Sequence, residues 1–221
     1  MTRAPTRLTT VAIPGPAGTL KGLLAERDGG EAGIAAIVCH PHPLFGGTMH
    51  NKVVHRIAST LHELGAAVLR FNFRGVGASR GEHDQGAGEL EDARAALGFI
   101  GARHPHARRW VAGFSFGAWV GARLAASEPG VERLILVAPP VGSQSFEVMH
   151  QATVPKLVIQ GGADTVCPPE LLERELPRWA GPRELIMVPG ASHFFDRQLG
   201  ALAHALSQAL AEPARGATPG P

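Results

Sequence analysis

The stretch Trp110-Val111-Ala112-Gly113-Phe114-Ser115-Phe116-Gly117-Ala118-Trp119-Val120 decides how this chain folds. It begins as a continuous apolar run, passes through Gly-x-Ser-x-Gly, and continues into a helix-like segment that reaches Ser127. An apolar run of that length, closed by a glycine, reads as a strand covered on both faces, so the five central residues form a strand-to-helix turn. Glycines two before and two after the serine let strand and helix approach with no Cβ between them, and the turn pushes the hydroxyl outward. A serine in a merely structural glycine turn would show the same pattern; its place between strand and helix favours the first reading.

The same alternation continues in both directions. Strands are expected at 9–13, 20–25, 34–39, 66–71, 110–114, 134–138, 156–160 and 184–188, and helices at 50–64, 89–103, 116–127, 169–179 and 195–211. The first two strands leave no room for a helix between them and should pair antiparallel at an edge. In the second helix Leu90, Ala93, Leu97 and Ile100 recur at three- and four-residue steps, which makes one apolar face. Gly65 reads as a helix C-cap. The expected architecture is α/β: a mostly parallel sheet of about eight strands with helices on both faces, in one domain over 1–221 whose ends, 1–7 and 212–221, are flexible tails.

A serine hydroxyl is a poor nucleophile until a neighbouring base takes its proton. The chain offers an acid and a histidine after later strands: Asp164 in Gly161-Gly162-Ala163-Asp164, and His193 in Pro189-Gly190-Ala191-Ser192-His193-Phe194-Phe195. Both follow predicted parallel strands, so Ser115, Asp164 and His193 should meet at one rim, off the strands' carboxyl ends. An aspartate in a glycine-rich turn is usually only a turn former. Three positions in the order Ser, Asp, His weigh more than each alone.

Charge developing on a carbonyl oxygen needs backbone donors. One is expected from Phe116, and a second from the loop His40-Pro41-His42-Pro43-Leu44-Phe45-Gly46-Gly47, where proline cannot donate and His42 and Leu44 remain open candidates. Phe45, Phe114, Trp119 and Phe194, with Leu44 and Phe116, are candidate apolar lining for substrate, although Phe114 and Trp119 fit equally well as packing residues. Only 139–155 separates the strand after the nucleophile helix from the Asp164 strand, too short for a lid domain.

Eleven histidines invite a metal, but His40 and His42 lie in the proline loop and no third residue has zinc-site spacing, so no metal and no cofactor are expected. His40 reads as a loop-packing residue. Cys39 falls within a strand, and Cys167, three residues past Asp164, reads as a structural or bystander thiol. Gly75-Val76-Gly77-Ala78-Ser79-Arg80 is close to a dinucleotide turn, but its third glycine comes one residue late; a tight surface loop held by Arg74 is the better reading.

Composition narrows the classes further. With 44% hydrophobic and 18% charged residues the chain is globular. Its 21 Lys+Arg against 19 Asp+Glu contain no basic block that could track a phosphate backbone, so nucleic acid is not expected as a partner. The apolar runs are too short to span a bilayer, and residues 1–16 do not read as a signal peptide; the expectation is a cytoplasmic protein, monomer or homodimer, with a small-molecule ester as its partner and no membrane.

His40-Pro-His-Pro-Leu-Phe-Gly-Gly, Asn72-Phe-Arg-Gly-Val-Gly-Ala-Ser, Gly113-Phe-Ser-Phe-Gly and Gly190-Ala-Ser-His-Phe-Phe together resemble the α/β-hydrolase superfamily, in particular a compact, lidless, carboxylesterase-like bacterial branch related to dienelactone hydrolases. The resemblance runs from about Leu8 to Leu210 and implies a Ser115–His193–Asp164 triad. It departs from the commoner superfamily pattern where the double-proline loop replaces His-Gly-x-x-Gly, and where a serine stands at the position in which dienelactone hydrolases typically carry a cysteine. The function it points to is hydrolysis of small or short-chain carboxylic esters, with activity falling below about pH 6–7 as the histidine protonates. A thioesterase or small-substrate peptidase would use the same residues, and a non-catalytic binding protein on the same scaffold is the reading from another class.

Overall fold

Hydrophobic alternation along the strands divides the interior into two layers. In β3 (Ile34–Cys39) Ala35, Ile37 and Cys39 face one layer, and Ala36 and Val38 the other. β5 (Arg108–Phe114) and β6 (Val131–Val137) divide in the same way, Val111, Leu134 and Leu136 on one side and Trp110, Ala112, Phe114, Ile135 and Val137 on the other. A sheet with apolar residues on both faces has to be covered twice. The first layer is covered by α2 (Ala87–Arg103) and α3 (Phe116–Ser127), the second by α1 (Lys52–Glu63) and α5 (Leu199–Ala211).

The computed structural model describes residues 6–28 and 31–211. Its eight strands run in the order β1-β2-β4-β3-β5-β6-β7-β8, with β1 (Thr6–Gly15), β2 (Gly18–Arg27), β4 (Ala67–Phe71), β7 (Lys156–Gly161) and β8 (Arg183–Val188) completing the sheet. β1 and β2 form the expected antiparallel hairpin at the edge, and every pairing from β4 to β8 is parallel. The hairpin is longer than its apolar core suggests, because pairing extends from Gly15↔Gly18 to Thr6↔Arg27 through polar residues. Thr6 and Arg7, expected in a tail, therefore belong to β1; the rest of both expected tails lies outside the described residues.

α1 ends one residue earlier than expected and α2 begins two residues earlier, at Ala87; three other helix boundaries differ, each for a local reason. α1 starts at Lys52 because the Asn51 side chain accepts from the Val53 N–H as its N-cap. α4 (Pro169–Glu175) ends before Pro177, and a 3-10 turn over Leu176–Arg178 takes its place, since proline removes a helical donor. α5 starts at Leu199, not 195, because Phe195 and Arg197 have φ of 50° and 60°, outside any right-handed helix. Gly65, with φ 104°, follows α1 as expected. The connection from β6 to β7 contains one four-residue 3-10 turn, Glu147–His150, and no lid. Among the described residues no helix is long and apolar enough to cross a membrane.

The loop after β4 is held differently from expectation. Arg74 does not fold back onto it but reaches α2, where Asp92 Oδ2 accepts from the Arg74 backbone N–H (2.9 Å) and Nε (3.0 Å), and Oδ1 accepts from a terminal nitrogen (2.8 Å). The loop closes through Ser79, whose Oγ donates to Asn72 O, while Asn72 Oδ1 accepts from the Met49 N–H. The carboxylate is fully buried and meets the largely buried guanidinium through two of its nitrogens.

Candidate active site

Ser115 sits at the turn between β5 and α3 with φ 54° and ψ −121°, a conformation that side chains other than glycine rarely adopt. The neighbouring glycines make that turn possible. A Cβ on Gly113 would lie 2.1 Å from Gly117 O, and one on Gly117 would lie 2.3 Å from Cys39 O and 2.5 Å from His40 O. The spacing read from sequence is therefore a contact requirement: the helix start touches both its own strand and the end of β3.

Asp164 leaves β7 and His193 follows β8, strands paired directly with each other. His193 Nδ1 lies 2.8 Å from Asp164 Oδ2, and His193 Nε2 lies 3.1 Å from Ser115 Oγ. Asp164 is fixed from behind: Oδ1 accepts from the N–H groups of Val166 (2.9 Å) and Cys167 (2.8 Å), and Oδ2 from Gln160 Nε2 (3.1 Å). Burial alone would raise this carboxyl; His193 and the two amides outweigh it and hold it below the usual value. An ionised carboxylate only accepts, so Nδ1 carries the imidazole proton and Nε2 presents its lone pair to the serine. Phe114, expected in the lining, is 0% exposed because it points to the core side of β5, where its ring lies 5.0 Å from that of His193. It supports the histidine and cannot touch substrate.

The proline loop separates the two open candidates for a backbone donor. The Leu44 N–H is engaged by His42 Nδ1 at 3.2 Å, and the Phe45 and Gly47 N–H groups by His42 O. Among the described residues the N–H groups of His42 and Phe116 have no protein acceptor. The rings of these two residues are in contact, 4.7 Å between centroids, and the Phe116 amide opens the twelve-residue helix α3, where partial positive charge favours an anion. Leu44 and Phe45 are exposed, Phe45 by 87%, and Phe194 by 42%. Trp119 is half-buried, packed on Phe116 at 5.5 Å with its Nε1 donating to Ser145 O.

His40 is the packing residue expected, with a defined task. Its Nε2 accepts from the Phe73 N–H (3.0 Å) and its Nδ1 donates to Pro41 O (2.7 Å), tying the proline loop to the loop after β4. Burial pushes this imidazole down to about 4. A histidine whose folded value lies below its unfolded 6.5 must shed a proton to fold, so stability is full above about pH 6.5 and falls as the pH drops toward 4. Chemical unfolding followed between pH 7 and pH 4 should show a loss of about 3 kcal/mol from this group. His40→Gln should remove that part of the slope, and an unchanged slope would refute the assignment.

Two groups at the site carried no sequence signal read as such. Glu89, fully buried, accepts from the N–H groups of Asp84 and Gly86 and lies 2.8 Å from His83 Nδ1. The His83 ring in turn lies 5.0 Å from His42. Gly86 followed three residues later by Glu89 is a readable helix-start pattern; nothing in the sequence marks His83. Cys167, read as a bystander, is buried with its sulfur close to the Asp164 and His193 ligand atoms, all within 4.8 Å of one another.

A family model described as serine aminopeptidase, S33, matches residues 35–150. An uncharacterised protein of Rickettsia prowazekii is 36% identical over 190 residues, covering 82% of this chain and 79% of that protein. Among solved structures, an alpha-beta serine hydrolase homologue from Coxiella burnetii is 42% identical with a TM-score of 0.87, over 91% of this chain and 97% of that one. A Xanthomonas campestris protein described as an a/b serine hydrolase without lid is 39% identical with a TM-score of 0.85, over 98% and 100% of the two chains. On these matches this chain belongs to the α/β-hydrolase superfamily, among its lidless serine hydrolases.

Proposed function

We propose that this protein hydrolyses small or short-chain carboxylic esters through an acyl-enzyme on Ser115. The observation that carries the reading is the unbroken contact chain from Ser115 Oγ through His193 to a carboxylate held ionised. His193 Nε2 takes the hydroxyl proton as Oγ attacks the ester carbonyl, then delivers it to the leaving alkoxide; a water repeats the sequence to release the acid. Asp164 orients the ring and stabilises its charged form. The free N–H groups of Phe116 and His42 receive the oxyanion. The short β6–β7 connection leaves the site open, which suits small acyl groups and removes any need for interfacial activation.

A fluorophosphonate probe should label Ser115, identified by peptide mapping, and labelling should vanish in His193→Ala. A panel of acyl esters tested on the same preparation should show turnover falling as the acyl chain lengthens. Failure to label combined with no ester turned over would end the reading.

The His42 amide can be tested apart from its side chain. His42 has φ −53°, which proline matches, so His42→Pro removes the N–H with little change of backbone, whereas His42→Ala keeps it. His42→Pro should lower kcat by about 10²–10³-fold and His42→Ala far less; equal losses would assign the effect to the ring.

The family description favours one other reading, a peptidase acting at an amino terminus. Such an enzyme has to hold an ammonium group with a free carboxylate. Glu89, the acidic group in contact with the His42–His83 cluster, already uses its oxygens on two amides and His83, which supports the ester reading.

A further inference from the structure

The loop after β7 brings a second kind of chemistry to the same rim. Asp164, Cys167 and His193 are each almost fully buried, and one ligand atom from each lies within 4.8 Å of the others. Tetrahedral zinc, with bonds of about 2.0–2.3 Å, sets its ligand atoms about 3.3–3.8 Å apart. The farthest pair therefore needs to close by no more than about 1 Å, and the Asp164–His193 Nδ1 pair, 2.8 Å apart with the imidazole hydrogen between them, needs to open by about 0.5–1 Å.

We propose that Asp164, Cys167 and His193 bind a thiophilic divalent cation, zinc foremost, and that its binding switches the enzyme off. Binding itself rests on this cluster alone; the loss of activity rests also on reading His193 as the general base. A sulfur, an imidazole nitrogen and one carboxylate oxygen suit zinc and exclude calcium and magnesium, which require a shell of oxygens. On binding, the Cys167 S–H bond breaks and its proton passes to solvent, the imidazole proton moves from Nδ1 to Nε2, and the thiolate, Nδ1 and one carboxylate oxygen each donate a lone pair to the cation. A thiolate and a carboxylate together neutralise the two positive charges, so the filled site adds no net charge to a buried place.

The ligands are already positioned. The Val166 and Cys167 amides hold Asp164, and Gln160, fully buried behind them, donates Nε2 to both Asp164 Oδ2 and Cys167 O (2.7 Å). Gln160 Oε1 has no hydrogen-bond partner, an unsatisfied buried acceptor of the kind a metal-bound water can supply. Burial raises the free thiol to about 12, so without metal Cys167 stays protonated and inert as a nucleophile. With the metal on Nδ1 the imidazole proton sits on Nε2, so no lone pair is left for the Ser115 proton and Ser115 loses its base.

The test uses the full chain in metal-free buffer. Cobalt(II) titrated into the wild type should give the near-ultraviolet absorption of a thiolate–cobalt bond. One equivalent of zinc should block both fluorophosphonate labelling and hydrolysis of p-nitrophenyl acetate, with magnesium and calcium inert. The Cys167→Ser and Cys167→Ala variants keep the backbone amide that holds Asp164; they should continue to turn over ester, lose the cobalt absorption, and need at least about tenfold more zinc for the same block. No thiolate–cobalt absorption in the wild type, or zinc block unchanged in both variants, would overturn the site. Zinc binding that leaves labelling intact would overturn the switch. The cobalt absorption is read without turnover, so its appearance supports the site whichever acyl compounds prove to be substrates.

Discussion

Ser115→Ala is expected to reduce turnover of an activated acyl ester by about 10⁵–10⁶-fold while leaving the fold and substrate affinity nearly unchanged. The Oγ atom is the only nucleophile in the contact chain, and alanine keeps the Cβ that the turn already accommodates at φ 54°. What is removed is one part-buried hydrogen bond, worth about 1 kcal/mol, so the melting temperature should move by no more than a few degrees. The amides of Phe116 and His42 survive the substitution and should leave a residual acceleration of about 10³-fold over water. His193→Ala should fall to a similar floor, and the double variant should fall no further, because the two side chains act as one unit. Single-turnover kinetics on all three variants measure this directly. A tenth of wild-type activity remaining in Ser115→Ala would place the nucleophile elsewhere.

The largest loss of stability from one substitution away from the site is expected at Asp92. Its fully buried carboxylate answers three donors of Arg74, the backbone N–H and two guanidinium nitrogens, and ties the loop after β4 to α2. Asp92→Ala leaves a largely buried cation and an amide without acceptors, a change that costs about 3–5 kcal/mol. For a chain of this size that corresponds to a fall in melting temperature of about 6–20 °C. Arg74→Ala combined with Asp92→Ala should recover part of the loss, since the stranded charge is then gone. Additive losses in the double variant would show that the pair is not coupled.

The parts of this molecule legible in its sequence are those set by local pattern. A continuous apolar run marked β3 to the residue, because a strand covered on both faces has no polar position to blur its ends. Gly113, Ser115 and Gly117 were legible because a Cβ on the first glycine would strike the second, and a Cβ on the second would strike the end of β3. The left-handed φ angles of Phe195 and Arg197 are imposed by burying Phe195, a demand of packing that leaves no trace in residue type, and so α5 begins later than its periodicity suggests. The choice between His42 and Leu44 turned on a ring nitrogen capping an amide two residues away, a matter of rotamer. The partner of Arg74 was not legible because Asp92 lies 18 residues further on, on a different element, and nothing in the local pattern pairs the two.

The connection between β6 and β7 also bears on how this fold can be extended. Its exposed turn at Gly142 and Ser143 is followed by anchored residues: Ser145 accepts from Trp119, and the buried Phe146 stacks on Trp179. Each doubling of a flexible loop adds only about 0.6 kcal/mol of closure entropy, so an entire accessory segment inserted at that turn would barely tax the scaffold. Ser115, Asp164 and His193 follow β5, β7 and β8 and lie outside that connection. The molecule is thus a minimal chassis, open to new specificity by addition at one seam while the chemistry beneath stays as it is.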